Sequence, residues 1–179
     1  MLEIVQGDLL EQPVDTIVNA ANPALLGGAG VNGAIHKAAG PMLLSFCESL
    51  PEVRPNVRCP TGKAVITPAF ELEKRGINHI IHTVGPVYNK GSQEEAALLS
   101  HCYTSTLALA EEKGIASLAF PAISTGVYGY PSEEAVAIAL QAILDYCQAG
   151  CKISKVILVF RDDDRLQEAM MVLNSLQSL

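Results

Sequence analysis

Residues 16–40 read TIVNAANPALLGGAGVNGAIHKAAG, from Thr16 to Gly40. A β-branched, apolar run ends at Asn19. A turn carrying Asn22 follows, and glycines then lead into a helical segment holding Ile35, His36 and Ala39. This layout is strand, pliable loop and helix N-terminus. Unpaired backbone N–H groups and the positive end of a helix dipole stabilise an anion, and glycine lets a ligand approach the chain closely. The same stretch also reads as a plain glycine-rich connector that begins a helix.

Outward from this segment, short apolar runs alternate with longer segments of helical period, the pattern of an α/β domain. The expected strands are Leu2–Gln6, Thr16–Asn19, Lys63–Thr67, Asn78–Val84, Ser117–Phe120 and Lys155–Phe160. Most are apolar on both faces, as strands covered by helices on both sides should be. Ser92 and Glu95 form a capping box for a helix over 93–113, which Gly114 stops. Ser132, followed by two glutamates, opens another through about Ala149, with Val136, Leu140, Ile143, Leu144 and Cys147 on one face. A last helix starts near Asp164. Residues 51–60, with three prolines, read as an irregular surface loop.

The length of 179 residues fits one compact domain, 1–179. Lys and Arg number 12 against 19 Asp and Glu, for a net charge of −7. With no basic run, a nonspecific hold on nucleic acid or an anionic membrane is not expected. Any phosphate bound here is held mostly by backbone dipoles. The five scattered cysteines, with no secretory signal before the first strand, fit reduced thiols in the cytoplasm. Cys147 and Cys151 have no second Cys/His pair nearby, so no metal site is expected. No apolar run approaches membrane-spanning length.

The triad Gly28, Gly30 and Gly33 matches the dinucleotide fingerprint of dehydrogenases only on its surface. That fingerprint places its first glycine directly after a strand and an acid about 20 positions on. Here eight residues separate Asn19 from Gly28, and the nearby acid, Glu52, lies between prolines. A second strand-loop-helix segment, LAFPAISTGVYGYPSEEA, offers the N–H groups of Ser124, Thr125, Gly126 and Val127 with a hydroxyl beside them. The same segment also reads as a tight strand-to-helix turn, with Tyr128 and Tyr130 as packing residues. Two such loops at strand ends suit a diphosphate. Asp8, after the first strand, either accepts from an exocyclic amine or caps a turn. Phe160 either stacks on a base or belongs to the core. His82 reads as a satisfied buried histidine, and His36 stands one turn from Asn32.

Taken together, the run VDTIVNAAN to GAIHKAAGP, TGKAVIT, HTVGPV and AFPAISTGVYGYP resemble the macrodomain family in content and order. The branch that looks most similar is the bacterial and mitochondrial one, which deacetylates O-acetyl-ADP-ribose and removes mono-ADP-ribose from acidic side chains. The resemblance implies a three-layer α/β/α fold with a six-stranded mixed sheet. It implies ADP-ribose, or an ADP-ribose ester such as a mono-ADP-ribosylated protein, as ligand, and no cofactor. By the same resemblance Asp8 accepts the adenine amine beside the Leu9 backbone, and Phe160 packs on adenine. Gly27, Gly28, Ala29, Gly30 and Val31 surround the distal ribose and phosphates. Ser124, Thr125, Gly126, Val127 and Tyr128 wrap the diphosphate. Asn22 holds the distal ribose, and Asn22 and Asn32 are the candidate catalytic pair.

The sequence departs from that branch at two positions. Residue 32, usually aspartate, is Asn32, and residue 29, usually glycine, is Ala29. An amide keeps an acceptor oxygen but cannot take a proton. Ester hydrolysis at the distal ribose is therefore expected to be weakened, and a reader module that binds ADP-ribose without turnover is the alternative.

Overall fold

In the computed structural model, which describes residues 1–178, six strands form one mixed sheet. They are β1 (Leu2–Gln6), β2 (Thr16–Ala20), β3 (Ala64–Pro68), β4 (His79–Thr83), β5 (Ser117–Pro121) and β6 (Lys155–Phe160). The spatial order is β1-β6-β5-β2-β4-β3, parallel throughout except for the antiparallel β3–β4 pair. Each expected strand forms, with ends shifted by at most a residue.

Alternate residues of the central strands face two separate cores. Val18, Ile81, Leu118, Phe120, Val156 and Leu158 meet α3 (Gln93–Glu112), α4 (Ser132–Gln148) and α5 (Asp163–Gln177). Ile17, Ile80, Ala119, Ile157 and Val159 meet α1 (Gly30–Ala39) and α2 (Pro41–Ser49). The result is the expected α/β/α layering. It explains the continuous apolar character of the strands, because neither face is left to water.

The helix ends follow local chemistry. Ser92 Oγ accepts from the Glu95 N–H at 3.1 Å while Glu95 Oε2 accepts from the Ser92 N–H at 2.9 Å, closing the capping box. Four N–H···O bonds to its carboxylate, led by the one from Ser92, hold the Glu95 pKa below the usual range. Helix α4 opens at Ser132 as expected, with Pro131 at the capping position, and the Ser132 hydroxyl donates to Glu168 at 2.6 Å, joining α4 to α5. Helix α2 was not expected. Gly40, at φ +83°, ends α1 and is also the start of α2, with Pro41 in its first turn, where a missing N–H costs nothing. No helix among the described residues is long and apolar enough to cross a membrane.

Candidate functional site

Five parallel strands end on the same edge of the sheet, and two of them, β2 and β5, are neighbours. The chain leaving β2 turns to α1 on one face, while the chain leaving β5 turns to α4 on the other. Their diverging loops open a crevice at the carboxyl ends of the strands, where open α/β sheets bind ligands. The cleft has a volume of about 560 Å³.

Of the residues singled out in the sequence, Leu9, Asn22, Gly28, Ala29, Gly30, Val31 and Asn32 line this cleft from one side. Ser124, Thr125, Gly126, Val127, Tyr128 and Phe160 line it from the other. Gly27 and Asp8 stand at its margin and are exposed, with their neighbours Gly28, Gly7 and Leu9 on the wall. Asp8 does cap a turn: one carboxylate oxygen accepts from the Leu10 N–H at 2.9 Å, opening the 3-10 turn Leu9–Glu11. Phe160 is 2 % exposed and packed in the α3–α5 core, so it is a core residue whose edge reaches the cleft. Tyr130 is a packing residue, edge-on to Tyr88 at 5.0 Å, whereas Tyr128 faces the cleft.

Helix α1 begins at the first loop with neither a side-chain cap nor an acidic residue in its first turn. Its leading N–H groups, which have no partner within the helix, remain available to an anion. The helix also sits hard against the loop. A methyl group on Gly33 would collide with the Gly28 carbonyl oxygen, so close approach, rather than a turn, demands glycine there. Among the described residues, the N–H groups of Thr125 through Tyr128 in the second loop donate to no backbone carbonyl. One non-glycine residue in each loop, Leu25 at φ +58° and Ser124 at φ +67°, is held in the left-handed region. Such strain costs on the order of 1–3 kcal/mol and persists only where surroundings enforce it.

The enforcing contacts are visible. The Ser124 hydroxyl donates to the Pro86 carbonyl at 2.9 Å and the Thr125 hydroxyl to the Ala122 carbonyl at 2.8 Å. Both hydroxyls therefore brace the loop from beside its N–H groups. In the first loop the Asn22 amide spans Leu26, donating to its carbonyl at 2.8 Å and accepting from its N–H at 3.1 Å. From behind, Arg58 donates to the carbonyls of Ala24, Leu50 and Glu48 at 2.9, 3.1 and 3.3 Å. Residues 51–60 are thus a brace for the cleft as well as a surface loop.

Two cations were missed from the sequence. Arg161 and Arg165 line the cleft beyond β6. Arg165 pairs with Asp162 at 3.7 Å and approaches Thr125 Oγ1 at 3.5 Å. Backbone dipoles are therefore not the sole source of positive potential. The available signal was position: RDDDR follows directly on a parallel strand, at the edge where ligands bind.

Burial keeps two histidines and three cysteines neutral. Burial lowers the His36 pKa, and His36 Nε2 is buried without a partner among the described residues. His82 is pushed down to about 3, by burial first and by His36 second. Burial raises the Cys47, Cys59 and Cys102 thiols to about 11, 12 and 11, so none is a thiolate at neutral pH. Among the described residues, no three His, Cys, Asp or Glu side chains gather as a metal site would require.

Comparison with known proteins agrees with this geometry. The Macro domain family matches over residues 18–139. A macro domain-containing protein of Xanthomonas axonopodis pv. citri is 53% identical over 158 residues, 88% of this chain and 86% of the relative. An O-acetyl-ADP-ribose deacetylase of Salmonella gallinarum is 47% identical over 163 residues, 91% of this chain and 88% of the relative. The solved structure of an Oceanobacillus iheyensis macrodomain mutant with ADPR superposes with a TM-score of 0.92 at 43% identity, covering 99% of this chain and 94% of the other. Fold, cleft and relatives agree, and the chain belongs to the macro domain family.

Proposed function

We propose that residues 1–179 act as one macrodomain that binds ADP-ribose and hydrolyses an ester at its distal ribose. The observation that carries this is the pair of N–H-bearing loops facing each other across the β2–β5 crevice, one of them an uncapped helix N-terminus. In this reading the diphosphate lies between Gly28–Val31 and Ser124–Tyr128. Adenine lies toward Leu9 and Phe160, and the distal ribose toward Asn22. The name of the Salmonella relative supports O-acetyl-ADP-ribose as substrate. A carboxylate ester linking ADP-ribose to a protein side chain presents the same bond.

The chain's part in the reaction is orientation. The Asn32 amide has no charge with which to draw a proton from water. Attack by water then depends on a ligand phosphate oxygen as proton acceptor, on the fixed ribose, and on N–H groups that need no reorganisation. The absence of a base at residue 32 also favours a second reading, a non-catalytic ADP-ribose reader. Incubation of excess protein with O-acetyl-ADP-ribose, and separately with glutamate-linked ADP-ribosyl protein, separates the two. Acetate or ADP-ribose released in a single turnover is the expected result. Tight binding with no release would establish a reader.

The adenine end has its own test. The turn cap uses one Asp8 oxygen and leaves the other to accept the adenine amine, so Asp8→Ala should weaken ADP-ribose by about 1.5–3 kcal/mol, or roughly tenfold to a few-hundredfold. The variant should also lose discrimination against the inosine analogue, which presents a carbonyl in place of the amine. Equal discrimination by variant and wild type, measured by calorimetry, would reduce Asp8 to its cap.

A further inference from the structure

Behind the first loop runs a chain of buried polar side chains whose polarity is set by one backbone atom. The Leu26 carbonyl accepts from Asn32 Nδ2 at 3.1 Å. A carbonyl cannot donate, so Asn32 must point its nitrogen at Leu26 and its Oδ1 the other way, toward Asn19. That oxygen needs a donor, and Asn19 Nδ2 supplies it at 2.8 Å. The same Nδ2 lies 3.1 Å from His82 Nδ1, which must therefore be the bare nitrogen. The imidazole proton then sits on Nε2, 2.9 Å from Thr67 Oγ1. With its pKa pushed down to about 3, His82 stays neutral and keeps that lone pair. The chain crosses β3, β4 and β2 to reach α1, and Asn19 and His82 are direct register partners.

Stability does not account for this arrangement. Thr67, His82, Asn19 and Asn32 are 1, 0, 0 and 6 % exposed, the first three on strands that carry two isoleucine or valine residues each and the last in the first turn of α1. Among the described residues Asn19 Oδ1 has no hydrogen-bond partner, a cost that aliphatic side chains at these positions would avoid. What the chain does achieve is to fix the Leu26 carbonyl, the same atom that holds Asn22 at 2.8 Å.

We propose that Asn19 is a positioning residue for the distal-ribose end of the cleft. Backed by His82 and Thr67, it turns the Asn32 amide onto Leu26 and so holds the loop in which Asn22 stands. The inference rests on the assignment of the first loop to the distal ribose, and it adds residues that do not line the cleft.

The test compares ADP-ribose with ADP, which lacks the distal ribose, by calorimetry on Asn19→Leu. Affinity for ADP should stay within about twofold of wild type while ADP-ribose weakens about tenfold, the scale of one well-placed hydrogen bond. In an Asn32→Ala background the same change should add almost nothing, because the two residues act as one unit. Equal weakening of both ligands, or additive effects, would make the chain a structural filler and overturn the proposal. So would a wild-type preference for ADP-ribose that survives intact in Asn19→Leu. Wild-type protein that binds ADP-ribose no better than ADP would instead overturn the assignment of the loop, and this inference with it. Should Asn19→Leu not fold, the wild-type protein still decides: a long-range nitrogen–proton NMR spectrum should show His82 as the Nε2–H tautomer from pH 5 to 8. A proton on Nδ1 would contradict the polarity of the chain.

Discussion

Gly126→Glu is expected to bind neither ADP-ribose nor ADP, with affinity falling more than about a hundredfold, because like charges brought together in a site oppose binding by several kcal/mol. The position makes the result clean. Gly126 is exposed on the second loop, and a Cβ there meets no atom within 4 Å, so the side chain fits without disturbing the protein. Its backbone is outside the left-handed region, so a side chain adds no strain. The added carboxylate nevertheless stands among N–H groups with no backbone acceptor, the ones assigned to the diphosphate. It opposes the ligand by charge and by bulk at once. Calorimetry measures the affinity, and an unchanged melting temperature shows that the fold is intact. Gly126→Ala should bind normally. A Glu variant that binds within a fewfold of wild type would put the phosphates elsewhere.

The second large effect concerns residue 32. Asn32→Asp should cleave the ester at least about tenfold faster, since a general base typically contributes 10²–10⁴-fold and part of that is lost to poorer geometry. It should also bind ADP-ribose more weakly. The Asp side chain can still accept from Asn19 but has no hydrogen for the Leu26 carbonyl, now 3.1 Å from Asn32 Nδ2. Two oxygens facing each other there repel, and the loop loosens. The signature is therefore a higher kcat with a higher KM. Asn32→Ala, which loses the clasp and gains no base, should be slower than wild type by about tenfold. One rate for all three proteins under single-turnover conditions would remove residue 32 from the chemistry. An inert wild type beside an active Asp variant would make the natural protein a reader.

The strands and the two loops were legible because their signals are local. Runs such as Ile80–Ile81 and Val156–Leu158 announce strands covered on both faces, and a capping box such as Ser92–Glu95 marks a helix start by itself. Helix α2 was missed because Gly40–Pro41 reads as a stop, although glycine closing one helix and proline opening the next serve equally as a junction. Features that depend on tertiary register left no trace. Asn19 and His82 lie 63 residues apart and meet only because β2 pairs with β4. Arg58 is one arginine in a proline-rich stretch until its guanidinium is seen beneath Ala24. The sequence places a hydroxyl beside the N–H groups of the second loop, but only the fold shows the Ser124 and Thr125 hydroxyls bracing a strained backbone.

The most direct test of the central claim is a crystal structure of the protein grown with ADP-ribose. The diphosphate should lie between the N–H groups of Gly28–Val31 and those of Gly126–Tyr128, with the distal ribose against Asn22 and adenine at the Leu9 end. A diphosphate bound outside the β2–β5 crevice, or a ligand lying in it with the distal ribose at Leu9 and adenine at Asn22, would contradict the account.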